Sequence, residues 1–213
     1  MLSHFHTTRA DETPAESQAE TEGLLINWAA RYDVFVSFVT LGQEQAFRRM
    51  MVRLAQLQLG ESVLEVGCGT GSLSMAARRR VGARGRVCGI DPSTQMIARA
   101  RHKAARSGLD IEYQVAVIEK LPFPDHTFDV VLSSLMMHHL PDDLKRKGLA
   151  EVARVLKPGG RMLVVDVSRP SGPWHSDIHD QPALMRAAGF AQAEVGKTRI
   201  PVLGYAIGRM AEA

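Results

Sequence analysis

Apolar and polar positions alternate with two different periods along most of this chain, and the alternation predicts the architecture. Short apolar runs at 63–66, 86–90, 111–115, 128–133 and 161–167 read as buried strands. Between them the apolar residues recur at helical spacing. Over 72–80 Leu73, Ala76 and Ala77 share a face, continued by Val81. Over 93–107 Met96, Ile97, Ala100 and Ala104 point inward, while Arg99, Lys103 and Arg106 share the outer face. Gly108 stops that helix, and another follows Pro141 over 142–156. Lys157-Pro158-Gly159-Gly160 reads as a turn into 161–167. A short helix over 182–188 ends at Gly189, and two strands, 191–198 and 202–209, close the chain. Repeated strand–helix units make this an α/β protein with a mainly parallel sheet and right-handed crossovers. There is no internal repeat.

The N-terminal part departs from that rhythm. Residues 1–21 are polar, without periodicity, and read as a disordered tail. From Glu22, Leu24, Leu25, Trp28 and Tyr32 line one helical face, and an apolar patch of Val34, Phe35, Val36, Phe38 and Val39 follows. A second helix is expected from Leu41 or Gly42 to Leu59, with Phe47, Met50, Met51, Leu54 and Leu57 inward and Gly60 at its end. The expected division is thus a tail (1–21), N-terminal helices able to act as a lid (22–60) and a ligand-binding domain (61–213).

The chemistry gathers at Val63-Leu-Glu-Val-Gly-Cys-Gly-Thr-Gly71. A strand, a turn with glycines at alternate positions (Gly67, Gly69, Gly71) and a helix present backbone N–H groups to a nucleotide-like ligand. The dinucleotide pattern G-x-G-x-x-G fails at Ser72, and no Lys follows for a P-loop. Glu65 repels a pyrophosphate and suits a ligand with an ammonium or sulfonium charge. The stretch resembles motif I, E/D-x-G-x-G-x-G, of the class I S-adenosylmethionine (SAM) dependent methyltransferases. Further on, Glu119-Lys-Leu-Pro-Phe-Pro-Asp-His-Thr-Phe-Asp-Val-Val131 resembles that family's D-A-x-x-L-P-F-P-D-x-x-F-D-V-V string. The looser segment Trp28-Ala-Ala-Arg-Tyr-Asp33, with Leu41-Gly42 and Arg48-Arg49, is similar to the ubiquinone/menaquinone biosynthesis branch.

The resemblance implies a Rossmann-like, seven-stranded sheet of order 3-2-1-4-5-7-6, the last strand antiparallel, with helices on both faces. It also implies a cofactor, SAM, and a set of residues to hold it. Gly67, Cys68, Gly69 and Gly71 form the turn. Asp91, beside Pro92, takes the ribose hydroxyls, its alternative use being an N-cap that Ser93 can supply instead. Met96 lies over the adenine or is plain core. The family's adenine-binding acid falls on Val117, which leaves the Ile118 backbone N–H and Glu119 for that task. Carbonyls at Ser133 and Ser134 hold the methionine ammonium, and Tyr32 closes over the cofactor. His138 and His139, adjacent and so aimed in different directions, are the candidates for a catalytic base. The acceptor is expected to be small and largely apolar, bound between 34–41 and Met136–Leu140 near Leu135 and Met137, unless that apolar surface is core or a homodimer contact.

Composition narrows the field further. Hydrophobic residues make up 45% and charged residues 23%, as in ordinary globular domains. Cys68 and Cys88 are too few for a disulfide framework and read as buried free thiols, consistent with a reducing cytoplasm. No signal-peptide core and no run near ~18 apolar residues is present. No metal site is expected, since two adjacent histidines lack suitably spaced partners. The net charge of +3 conceals −4 on residues 1–22 and +7 on the rest. Without interleaved aromatics the basic body reads as solvated helix faces rather than a nucleic-acid surface. A nucleic-acid methyltransferase and a non-catalytic SAM-binding protein stay open as rival functions.

Overall fold

The structure, a computed structural model, describes residues 44–168 and 177–213. Its elements are α1 (Glu44–Leu54), β1 (Ser62–Val66), α2 (Ser72–Val81), β2 (Arg86–Asp91), α3 (Thr94–Arg106), β3 (Glu112–Val115) and β4 (Phe128–Ser134). They continue with α4 (Asp142–Val155), β5 (Leu156–Val167), α5 (Gln181–Ala187), β6 (Gln192–Lys197) and β7 (Leu203–Arg209). Single 3-10 turns cover Met137–His139 and Ile178–Asp180. The strands form one sheet in the expected order β3-β2-β1-β4-β5-β7-β6. β7 runs antiparallel to β5 and β6, and the other pairings are parallel.

Register sets the ligand edge. Val66 pairs with both Ile90 and Ser133, so β1, β2 and β4 stop in line. Gly67, Asp91 and Ser134 therefore come level at the carboxyl edge of the sheet, where the strand order reverses.

The alternation of side chains along each strand builds two cores. On one face Val63, Val87, Val130, Leu132 and Leu163 meet Phe47 and Met51 of α1 and Leu73, Ala77 and Val81 of α2. α3 covers the same face farther along, with Ile97, Ala100 and Ala104 against Tyr113. On the other face Leu64, Val66, Val131, Met162 and Val164 meet Leu149, Val152 and Val155 of α4. The last three are fully buried, each contributing about 1.5–3 kcal/mol against an exposed position.

Two expectations are corrected. The helix expected to run from Leu41 or Gly42 to Leu59 ends at Leu54. The Arg161 guanidinium takes the carbonyls of Ala55 (2.6 Å) and Gln56 (2.9 Å), Gln56 turns at φ 53°, and Leu57 drops into the core. Residues 157–160 do not form a separate turn but belong to β5, where the register against β4 shifts between Phe128 and Val130. Expectations for residues 1–43, including the tail, Trp28, Tyr32 and the 34–41 patch, lie outside the described residues. Among the described residues no helix is long and apolar enough to cross a membrane.

Candidate active site

The glycine turn is shaped by what lies behind it. Gly67, Gly69 and Gly71 all adopt positive φ (66°, 52° and 78°), which only glycine takes at little cost. A Cβ on Gly67 would overlap Met136, and one on Gly71 would overlap the Tyr113 hydroxyl and stand 3.0 Å from Ala100 Cβ. Tyr113, buried at 3% exposure, is thus the floor of the turn, and its hydroxyl donates to Gly71 O (3.4 Å). Lys103 reaches from α3 to Thr70 Oγ1 and Ser72 Oγ, both at 3.0 Å, pinning the outer side. The Cys68 backbone closes the turn through Ile90 O and the Gly71 N–H, both 2.9 Å. Its thiol is buried and, chiefly through burial, held well above the usual thiol range, so it packs and does not react.

Asp91 ends β2 beside this turn. Its Oδ2 accepts the Gly69 N–H (2.9 Å) and its Oδ1 accepts the Ser93 N–H (3.0 Å). Burial pushes its pKa up and the two N–H groups pull it back. Capping of α3 falls to Ser93, which accepts the Met96 N–H. Asp91 is therefore positioned by the turn itself, with lone pairs left for vicinal hydroxyls. Met96 is 2% exposed and belongs to none of the three apolar cores, in keeping with a place at the ligand edge.

Glu65 sits deeper than a contact residue. It is 2% exposed, accepts a short hydrogen bond from Ser74 Oγ, and lies in the field of Arg48. Burial raises its pKa to about 7, against the lowering by Ser74 and Arg48. Arg48 was missed as a site residue, although its place in the Arg48-Arg49 pair was the signal. Itself 9% exposed, it donates from Nη1 to Ser134 Oγ (3.1 Å) and ties α1 to the carboxyl end of β4. Ser134 Oγ is thereby held as an acceptor with its O–H left to donate, and among the described residues the hydroxyl of fully buried Ser133 has no hydrogen-bond partner.

A cationic cofactor favours ionised Glu65, so SAM affinity is expected to rise with pH through about 7, and Glu65→Gln is expected to flatten that rise. Calorimetric titration of SAM across this range checks it, and a pH-independent wild type contradicts it. The sign for the ligand-free fold is opposite. A carboxyl raised from 4.5 to about 7 contributes stability below 4.5 that is lost as pH climbs to 7.

Beyond the turn, Ala116 and Ile118 side chains enter the core, Ile118 beneath Gly148. Only the Ile118 backbone can face a ligand, with half-buried Val117 and Glu119 beside it. The Leu-Pro-Phe-Pro-Asp string is scaffold. Arg154 holds Leu121 O, Phe123 O and Asp125, while Phe123 packs edge-on against Phe128 at 5.0 Å.

The histidine loop leaves β4 through Leu135, a non-glycine residue at φ 52°. Met137 is fully buried in the α4-side core, so it does not wall an acceptor site, whereas Leu135, Met136 and Leu140 stay half-buried. The two histidines do not diverge as expected. On the 3-10 turn their ring centroids are 3.9 Å apart, tilted by 42°. His138 is fixed by Asp166, a β5 residue absent from the sequence reading. His138 Nδ1 lies 2.5 Å from Asp166 Oδ1, and the His138 backbone N–H donates to Oδ2 at 3.0 Å. A carboxylate only accepts, so Nδ1 carries the hydrogen and Nε2 is the basic nitrogen. Burial, helped by His138, pushes His139 down to about 4, so it is neutral at pH 7 and a feeble base. Among the described residues no group of three His, Cys, Asp or Glu can hold a metal ion.

A doubly wound sheet with a glycine turn and an acid on the adjoining strand, both at the switch point, defines a protein that binds an adenosine-type ligand. Residues 63–160 match the family described as a methyltransferase domain. The ubiquinone/menaquinone biosynthesis C-methyltransferase UbiE of Francisella philomiragia is 33% identical over 168 residues, 78% of this chain and 66% of that protein. UbiE of a Marinomonas species is 35% identical over 155 residues, 72% of this chain and 61% of its own length. The chain thus spans just under two thirds of these relatives. A SAM-dependent methyltransferase from Aquifex aeolicus, solved by crystallography, shares the fold with a TM-score of 0.67 at 24% identity, over 77% of this chain and 89% of its own. The chain belongs to the class I SAM-dependent methyltransferases. The cofactor of that class is SAM, and the turn and Asp91 suit it.

Proposed function

We propose that this protein transfers a methyl group from SAM to a small, largely apolar acceptor bearing one ionisable hydroxyl, such as a phenol or an enol. The observation that carries this reading is the His138–Asp166 pair at the carboxyl edge, beside the half-buried apolar Leu135, Met136 and Leu140. When bound, SAM supplies an electrophilic methyl on a sulfonium. The protein's part is placement and one proton. The Gly67–Gly71 backbone and Asp91 hold the adenosine, and carbonyls at the end of β4 receive the ammonium. His138 Nε2 accepts the hydroxyl proton while Asp166 holds the ring and stabilises the imidazolium that forms. Met136, packed on the turn, and Leu135 exclude water and orient an apolar body. Tyr32 and the 34–41 patch complete this proposal as a lid, and a homodimer is the alternative use of the apolar rim.

A turnover assay of SAM to S-adenosylhomocysteine with lipophilic phenols and quinols, against nucleosides and amino acids, tests the acceptor. Methylation of only the polar set overturns it, and no turnover with any set favours a non-catalytic SAM-binding protein. SAM at ~100 times its dissociation constant is expected to stabilise the fold by about 2.7 kcal/mol in thermal unfolding, with NAD inert. Asp91→Ala is expected to weaken SAM by about 1–3 kcal/mol, since Gly69 and the ribose lose one shared acceptor. An unchanged affinity for that variant shows the ribose held elsewhere.

A further inference from the structure

Charge on the described residues is divided between the two faces of the sheet. α1, α2, the 82–85 turn and α3 contain eleven Arg and Lys against one acid, Glu44. α4 and α5, on the opposite face, nearly balance, with five against Asp142, Asp143 and Glu151. Several of the eleven are committed inside the fold. Arg48 bonds Ser134, Arg78 bonds Asp110 O and Gly82 O, Arg101 bonds Tyr113 O, and Lys103 bonds the glycine turn. Exposed cations remain at Arg49, Arg53, Arg79, Arg80, Arg84 and Arg106.

Most of these exposed cations gather at the amino edge of the strands, opposite the ligand edge, because α1, α2 and α3 all end there. One cation in a helix's last turn is explained by the carbonyl dipole. The run Arg78-Arg79-Arg80 with Arg84 in the turn that follows, and no acid anywhere in α2 or α3, is not, since clustered like charges repel. Two carboxylates near this edge are already engaged, Glu61 giving both oxygens to Arg161 and Glu112 pairing with Arg86 at 2.6 Å. Among these cations stands Leu59, at 66% the most exposed large apolar residue described. It lies against the end of α2, where a Cβ on Gly82 would be 3.3 Å from its Cδ2 and Gly60 N–H donates to Val81 O at 2.8 Å.

We infer that this edge docks on an anionic phospholipid surface, with Leu59 entering the interface and Arg53, Arg79, Arg80 and Arg84 on the head-group phosphates. An apolar side chain ringed by long cationic ones fits a bilayer boundary, since the arginine stems lie along the apolar layer while their heads stay with phosphate. A nucleic acid makes no use of Leu59, and the only Phe, Tyr or Trp on α1–α3, Phe47, is buried and cannot stack on bases. Docking at the amino edge leaves the carboxyl edge open, so lipid binding and SAM binding are separable.

The test is co-sedimentation of the full chain with vesicles of phosphatidylcholine alone or with added phosphatidylglycerol, over a salt series. Partitioning at least tenfold stronger onto the anionic vesicles, lost at high salt, is expected. Arg79→Glu, Arg80→Glu and Arg84→Glu together are expected to remove that preference, and Leu59→Asn to weaken binding while keeping its salt dependence. Both variants are expected to keep the wild-type SAM-induced thermal shift, which shows the fold intact. Equal partitioning onto both vesicle types overturns the inference, as does no binding to either. Tighter binding to duplex RNA or DNA than to anionic vesicles, indifferent to Leu59, makes the edge a nucleic-acid surface instead. A wild type that binds vesicles but shows no SAM shift counts against the methyltransferase reading, not against the docking surface.

Discussion

His138→Ala is expected to lower turnover by about 100-fold or more while leaving SAM affinity within a factor of about two, the signature of a lost general base. The geometry assigns the role unequally to the pair. Asp166 Oδ1 accepts both the His138 Nδ1–H and the Val167 N–H (2.8 Å), so the carboxylate is anchored before it orients the ring. Burial keeps His139 neutral down to about pH 4. His139→Ala is accordingly expected to cost less than tenfold. Asp166→Asn keeps the shape but offers Nδ1 a group that can donate as well as accept, so the basic nitrogen is no longer fixed, and a fall of ten- to 100-fold is expected. A series of phenols of decreasing pKa separates base catalysis from mere positioning. In His138→Ala the more acidic acceptors are expected to recover most of the lost rate, because they ionise without help. A deficit equal for every acceptor shows that His138 only shapes the site.

How far this site was legible follows from the kind of signal each residue leaves. The glycine turn and Asp91 are local. Chain turns, an acid after a strand and a Ser cap on α3 declare themselves within a few positions, and the structure joins them through the Gly69–Asp91 bond. The seven-strand order needed the family resemblance, because repeating units give parallel pairing but not which strand lies beside which. Asp166 was not legible. It lies on β5 among Val164, Val165 and Val167, where an acid carries no periodic signature, and it meets His138 only because β5 pairs with β4. Arg48 hid for a similar reason, since its Ser134 partner is on another element. The early end of α1 was invisible because Arg161, which takes its last carbonyls, is remote in the chain.

That same arginine carries the largest stability effect expected here. Arg161→Met is expected to destabilise the fold by about 3–5 kcal/mol, measured by denaturant unfolding. Arg161 is 8% exposed and satisfies four acceptors at once. Its Nη1 and Nη2 meet Glu61 at 2.9 and 3.1 Å, and Nε and Nη2 meet the Ala55 and Gln56 carbonyls at 2.6 and 2.9 Å. Methionine fills the volume but leaves two carbonyls and a largely shielded carboxylate without a donor, and that uncompensated desolvation dominates the loss. Because the four bonds fasten the end of α1, which carries Arg48, to β5 beside the β4 strand of Ser134, SAM affinity is expected to fall with the stability. Adding Glu61→Met to Arg161→Met is expected to recover part of the loss by removing the stranded charge, a coupling the double cycle reads directly. A single-variant loss under 1 kcal/mol, the value of an exposed ion pair, means that water or another side chain reaches these groups and that α1 is held by its apolar face alone.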